Sequence, residues 1–439
     1  MKKHIALIVA IILLMVLTSC GSDSYEIDLP DGADDDMYEA ERTTITLGII
    51  ELYQSHERQY GMRYVPQFNA ENERYYIEVV NYLPENLVRL RTEMVAGRGP
   101  DILYCLYYEH GIFAPMMNLG MLVDLNAFID ADPDISRDDF FQNILDGKQN
   151  PDGSLQIVAN RFSIDTLISV GEVVDSPELF TADKFHNLLR NAFELGIDYP
   201  LGELMSGSEF VISNLMFVDL GIIDFDVGVS NFQSQAFYDL LEIASLLPEE
   251  IVIEPDFSFY RLMTIGEQLF STTTIFAPLT IARHETILGD FTILGYPSDE
   301  GGIHGASLSS VFGINASSNH QDAAWSFVRK YFLPSDSPMD VGRIPLRIDA
   351  FDELVRDTMR MSWYTRDGGI NIPIRGLTVR GATKLRELVE SISFVSKFDL
   401  TIMNMVMEEL TPFMVGTRSA EETARIIQSR VQIYLHEHN

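Results

Sequence analysis

Polar and apolar residues alternate at Thr44-Ile45-Thr46-Leu47 and then give way to Gly48-Ile49-Ile50, a period-two pattern that predicts a sheet strand. A helix is expected over Tyr64 to Asn72, and a second strand over Tyr76 to Tyr82. Leu83, Leu87, Leu90 and Met94 then recur on one helical face, with Gly97 placed to end the helix. Pro100-Asp101 leads into a third strand, Ile102 to Leu106. Strand, helix, strand, helix, strand is the order of an α/β domain with a largely parallel sheet.

Further along, Gly147 to Ser154 is rich in turn formers, and a short strand is expected at Leu155 to Ala159, where the chain first crosses between lobes. Thr181 is positioned to cap a helix that buries Phe185, Leu188, Leu189 and Phe193 and stops at Gly196. Helices are expected around Ser208 to Leu220 and Gln233 to Leu247. Strand character follows at Phe270 to Ile281, at Phe291 to Tyr296 and, as a second crossing, at Ser309 to Ala316. Ser318 with Gln321, and Ser419 with Glu422, have capping-box spacing ahead of amphipathic helices, the last of which closes the chain.

The N-terminus changes this picture. Lys2 and Lys3 precede an apolar run from Ile5 to Leu17, and Leu17-Thr18-Ser19-Cys20 closes it with small residues. The order is that of an export signal with a processing site, and the run is shorter than the ~20 residues that span a bilayer as a helix. Leu17 to Cys20 resembles the bacterial lipoprotein box, which implies that Cys20 becomes the lipidated first residue of a mature protein on the extracytoplasmic face of the cell membrane. Asp28, Asp31, Asp34, Asp35, Asp36, Glu39 and Glu41 then make an acidic stretch expected to act as an extended spacer. It lacks the spacing and final glutamate of a calcium-binding loop.

Composition narrows the functions further. Of the 439 residues, 65 are acidic and 31 basic, a formal charge of −34 that disfavours nucleic acid and anionic lipid as partners. The length suits two domains, since single cores stop growing near ~250–300 residues. Cys105, the only cysteine besides Cys20, lies in an apolar run and reads as a buried thiol. The histidines form no metal-ligand pattern, and neither a Gly-x-Ser-x-Gly elbow nor a phosphate loop is present. Neither a metal nor a cofactor is expected.

Several stretches, in order, resemble the extracellular solute-binding proteins of bacterial ABC importers, in the family that binds sugars and oligosaccharides. Phe68-Asn69-Ala70-Glu71-Asn72 followed by Ile77 to Val80 is similar to its opening, and Leu90 to Ile102, with Gly97-Arg98-Gly99-Pro100-Asp101, to its glycine-proline-aspartate signature. Gly120 to Leu125, Gly295-Tyr296-Pro297, Gly313 to Ser318, Ala323 to Val328, Ile344 to Arg347 and the closing helix Gly416 to Leu435 continue the resemblance. Ser169-Val170 and Ser271 to Thr274 depart from it. The resemblance implies a two-lobe periplasmic-binding-protein-like α/β fold with crossing hinge strands that closes over a ligand. Its parts would be a signal peptide over 1–19, a spacer over 20–42, a first lobe over 43–156 and 311–335, and a second lobe over 157–310 and 336–439.

In open α/β sheets ligands bind beyond the carboxyl ends of strands. That rule selects Glu51 and Tyr53 after the first strand, Tyr107, Tyr108 and Glu109 after the third, and Asn160, Arg161 and Phe162 beyond the crossing. Trp363 and Tyr364, with Thr280, Arg283 and Arg366, are further candidates from the second lobe. Flat aromatic faces and planar polar groups are what a sugar needs, although core packing is the commoner reason for an aromatic, and a solvated loop for a charge. The expected protein is a monomeric, non-catalytic, lipid-anchored binder that delivers a neutral saccharide to an ABC permease. A ligand-sensing surface lipoprotein remains a rival, and so does a surface glycan hydrolase.

Overall fold

The computed structural model describes residues 42–52, 56–107, 110–171, 173–174, 176–217, 220–249, 251, 258–333 and 343–438. The signal segment, Cys20 and almost all of the acidic stretch lie outside these residues, as do Tyr53, Tyr108 and Glu109.

Strands β1 (Thr43–Ile50), β2 (Tyr75–Tyr82) and β3 (Ile102–Tyr107) form where the alternation predicts them. β1 lies parallel to both, with Thr43 opposite Tyr75 and Leu47 opposite Ile102. Between them run the helices Val65–Glu71 and Leu87–Val95, the second burying Leu90 and Met94 as its periodicity requires. The motif residues have mechanical roles here. The Asn69 side chain bonds both the N–H and the C=O of Ile77, and Asn72 accepts from the N–H groups of Arg74 and Tyr75, so the pair sets the entry of β2.

The centre of the molecule is a pair of long antiparallel strands, β4 (Val158–Val170) and β10 (Gly301–Ile314). Between them in the chain come the hairpin β5 (Ile223–Asp224) and β6 (Val229–Ser230), then β7 (Phe270–Ile275), β8 (Phe291–Ile293) and β9 (Tyr296–Ser298). β11 (Ile344–Pro345), the hairpin β12 (Trp363–Asp367) with β13 (Ile370–Ile374), and β14 (Ile392–Val395) follow. Ten strands join one mixed sheet whose main path is β11-β4-β10-β3-β1-β2. β4 and β10 change partners along their length: one end of β10 pairs with β3, the other with β9 and β14, and β4 turns to β7 and β8.

Two hydrophobic clusters sit on this frame. One gathers β1, β2 and β3 with the helix Gln321–Val328 and the segments around Phe351 and Leu385. The other gathers the helices Ala182–Glu194, Gly207–Phe217, Gln235–Ala244, Leu400–Met414 and Ala420–His438. β4 feeds both, Ile164 and Ile168 into the first and Leu167 into the second.

Several expectations are corrected. Both crossing strands are displaced from the runs that mark them in sequence: β4 begins only at Val158 and continues through Asn160, Arg161 and Asp165, and β10 begins at Gly301 and ends at Ile314. The strand from Phe270 ends at Ile275, and Pro278 opens a helix, Pro278–Leu288, where its missing N–H costs nothing. Phe291 to Tyr296 is broken at Gly295, whose φ of 78° is left-handed. Ser318 forms no capping box: the N-cap is His320, and the Ser318 hydroxyl donates to Asp101 Oδ1 at 2.6 Å. Thr181 does cap its helix, accepting from the Lys184 N–H. Among the described residues no helix is long and apolar enough to cross a membrane.

Candidate functional site

The expected site residues that fall within the described chain separate into two groups. Tyr107 and Arg161 come together: Ser309 of β10 is opposite Tyr107 on one side and Arg161 on the other, so three adjacent strands present one row. Glu51 leaves β1 at the same sheet edge, just beyond Ile50, which is opposite Cys105. Asn160, half-buried, turns its amide to the Tyr331 carbonyl. Phe162 does not face this row. It is fully buried against Phe141 in the first cluster, a core residue of β4.

The second-lobe candidates are placed elsewhere. Trp363 opens β12, packs half-buried on the first cluster and is opposite Ile374, while Tyr364 is 73% exposed on the same hairpin. Arg366 sits in that hairpin opposite Asn371. Thr280 is buried in the helix Pro278–Leu288, and Arg283, on the same helix, has a buried Nε without a hydrogen-bond partner among the described residues.

Further residues join this row, none of which the sequence alone singled out as a site residue. Arg343, just before β11, donates from Nη2 to Tyr107 Oη at 2.9 Å. Its guanidinium lies 4.9 Å from the centroid of the Tyr107 ring and 5.2 Å from that of Phe276, the residue after β7. Arg161 is held over the Tyr60 ring at 5.5 Å, and burial lowers its pKa to about 10, with Arg63 and Arg343 pushing in the same direction and Tyr60 and Tyr104 opposing. Asp165 accepts from Ser307 Oγ at 2.6 Å and Thr274 Oγ1 at 2.7 Å. Its burial raises the pKa, and those two hydroxyls and Arg343 partly offset this. Ser309 is 1% exposed, and its hydroxyl lacks a hydrogen-bond partner among the described residues.

The polar chain continues laterally. Ser307 Oγ lies 3.0 Å from Ser396 Oγ, beyond β14, and the buried Lys148 donates to the Ser396 carbonyl at 3.3 Å. Hydroxyls, a carboxyl and cations thus cross the four strands β14, β10, β4 and β7 where the two clusters meet. Such a set can hydrogen-bond hydroxyls, stack on a flat face and hold a charge. No group of three or more His, Cys, Asp or Glu side chains that could hold a metal occurs among the described residues.

Neither a protein-family model nor a curated protein sequence matches this chain. Solved structures do match. The sugar-binding protein MalE of Xanthomonas citri aligns over 90% of this chain and 98% of its own, with TM-score 0.59 and 18% identity. An ABC transporter solute-binding protein of Thermotoga lettingae bound with α-D-tagatose aligns over 90% and 100%, with TM-score 0.52 and 16% identity. An extracellular solute-binding protein of family 1 from Alicyclobacillus acidocaldarius aligns over 91% and 100%, with TM-score 0.53 and 12% identity. The chain therefore has the two-lobed α/β fold of extracellular solute-binding proteins.

Proposed function

We propose that this two-lobed chain is a non-catalytic binding protein that captures a saccharide between its lobes and delivers it to an ABC permease, held to the membrane through lipidated Cys20. The observation that carries the reading is the row Tyr107, Ser309 and Arg161, which runs from β3 of the first cluster across β10 to β4, the strand that feeds both clusters. Lobes joined by such strands close by small rotations, burying a ligand between aromatic faces and polar groups. The names of the solved structures with this fold, a sugar-binding MalE and a protein bound with tagatose among them, support a carbohydrate as the ligand. A lipid anchor followed by an extended acidic spacer raises the local concentration of the binder at its membrane partner without a new contact.

Calorimetric titration of the full-length protein against a panel of oligosaccharides tests the reading. Saturable binding of a saccharide, weakened by Tyr107→Ala, is the expected outcome. Binding of a peptide or polyol alone overturns the substrate class, and glycoside turnover abolished by substituting one carboxylate of the site overturns the assignment as a binder.

A further inference from the structure

The hairpin of β12 and β13 stands apart from the main sheet, and among the described residues its strands pair only with each other. Tyr364 is opposite Pro373 and Arg366 opposite Asn371, so these four share one face, and all four are exposed. The other face turns Trp363, Ile372 and Ile374 to the first cluster. Arg375, also exposed, continues the outer face two residues beyond Pro373. Its neighbour Gly376 abuts the end of the helix Ile348–Arg360, where a Cβ would lie 2.3 Å from the Met359 carbonyl oxygen. That contact brings Arg375 to the end of the helix that exposes Arg356 and Arg360 one turn apart. Residues 356–375 carry four arginines against two aspartates, in a chain with 65 acidic and 31 basic residues. Of the two aspartates, Asp367 is engaged by the Ser258 hydroxyl and the Phe259 N–H, and Asp357 reaches Arg360 at 4.0 Å. Arg356, Arg366 and Arg375 make no ion pair among the described residues. The tip of the hairpin is apolar: Gly368 and Gly369, at φ 55° and 75°, make a tight turn, and Ile370 beside them is 67% exposed. A Cβ at Gly369 would meet nothing within 4 Å.

We infer that this face of the hairpin rests on an anionic phospholipid bilayer. The inference rests on the membrane anchoring proposed above and revises, for this one face, the expectation that the chain's charge excludes anionic lipid. The chain from Cys20 to Thr43 reaches at most about 80 Å when fully extended, so an anchor at Cys20 leaves each face of the protein free to meet the bilayer. Charge then selects the face: the headgroups repel the acidic surfaces and draw in the arginines. Tyr364 and Ile370 take the boundary between headgroups and acyl chains, while the guanidinium groups, on flexible stems, reach the phosphates. The bare Ile370 at a two-glycine tip favours lipid over an acidic protein, because a soft headgroup layer admits a single aliphatic side chain without a matching pocket. The body is thereby held in one orientation on its tether.

The test places the lipidated full-length protein on phosphatidylcholine vesicles and on vesicles with phosphatidylglycerol added. An environment-sensitive fluorophore is attached at Asn371→Cys and, as a control, at Leu195→Cys, which is 81% exposed after the helix Ala182–Glu194. The probe at 371 is expected to brighten at least twofold more on the anionic vesicles than on the neutral ones, the gain fading as salt rises, with the probe at 195 equal on both. Arg366→Glu combined with Arg375→Glu should abolish the gain, and Arg366→Lys combined with Arg375→Lys should keep most of it; thermal melts check that both variants fold. Flotation with the vesicles reports the anchor separately. In protein that floats, equal brightness on the two lipids, or a gain that survives the glutamate pair, overturns the inference and leaves the anchoring reading intact. A response on membranes of the source cell but not on phosphatidylglycerol vesicles assigns the face to a protein partner and overturns the lipid assignment. Protein that floats with neither vesicle counts against the anchoring, and the inference falls with it.

Discussion

Asp165 shows how one side chain can be tied to the pH of the surroundings. Its pKa is raised by burial, so the folded protein holds the proton more tightly than the unfolded chain does. The stability this confers is complete below the ordinary carboxylate range and is lost as pH rises through the raised value. Asp165→Asn removes the ionisation while keeping an acceptor for one of Ser307 and Thr274 and offering an N–H donor to the other hydroxyl. The melting temperature of the parent should therefore fall relative to Asp165→Asn as pH is raised from about 4 toward 7, and parallel curves over that range would count against the assignment. His284 behaves in the opposite sense. Burial, assisted by Arg283, lowers it to about 3, and its Nε2 lies 3.2 Å from Thr273 Oγ1. Stability tied to its neutral form is present above about pH 6.5 and drains as pH falls toward the folded value, amounting to about 3 kcal/mol lost by pH 4.5. His284→Gln should blunt that acid sensitivity in denaturant titrations at pH 4.5 and 7.

Among the elements, Asp101 acts as the rivet between strands distant in sequence. Its Oδ2 accepts from the N–H and hydroxyl of Thr46 in β1, its Oδ1 accepts from Ser318 after β10, and Asn315 bonds the carbonyls of Gly99 and Pro100. Asp101→Ala should cost about 2–4 kcal/mol by chemical denaturation, since it strands donors that had a charged acceptor. Gly302 is as critical for a steric reason, because a Cβ there would sit 1.7 Å from the Leu294 carbonyl oxygen. Gly302→Ala should therefore separate β9 from β10 and cost about 3 kcal/mol or more, read as a lowered midpoint in urea.

These elements also show what a chain can and cannot disclose by itself. The strand β1 and the helix capped by Thr181 are legible because their signals are local: alternation in one, a hydroxyl and a 3.6-residue period in the other. β4 is legible only in part. Arg161 and Asp165 interrupt its apolar run, and what makes them tolerable in a sheet is a ring at Tyr60 and hydroxyls at Thr274 and Ser307, none of them nearby in sequence. Tyr107 can be picked by the rule for strand ends, whereas Arg343 cannot, since its contact with Tyr107 spans 236 residues and no local pattern marks it. Phe162 illustrates the converse. It neighbours Arg161 on a pleated strand, and the core takes it.

For the molecule as a whole, the shared strands make ligand binding and stability one measurement. A ligand that binds only the folded form stabilises it by about 2.7 kcal/mol at a hundredfold excess over Kd. A bound saccharide should accordingly raise the melting temperature by several degrees and reduce the radius of gyration in solution scattering as the lobes close. The same strands also fix an order of assembly. The first cluster starts at Ile45 but requires Ile344, Leu346, Phe351, Leu385 and Val395, so it cannot be completed while the chain is still being made. The second waits for Ile427 and Val431. Nascent chains arrested before residue 344 should remain open to protease along β1 to β3, whereas a chain released at full length should not. A protein knit in this way stays threadable until synthesis is nearly over, a useful property for any chain that must pass through a narrow channel before it folds.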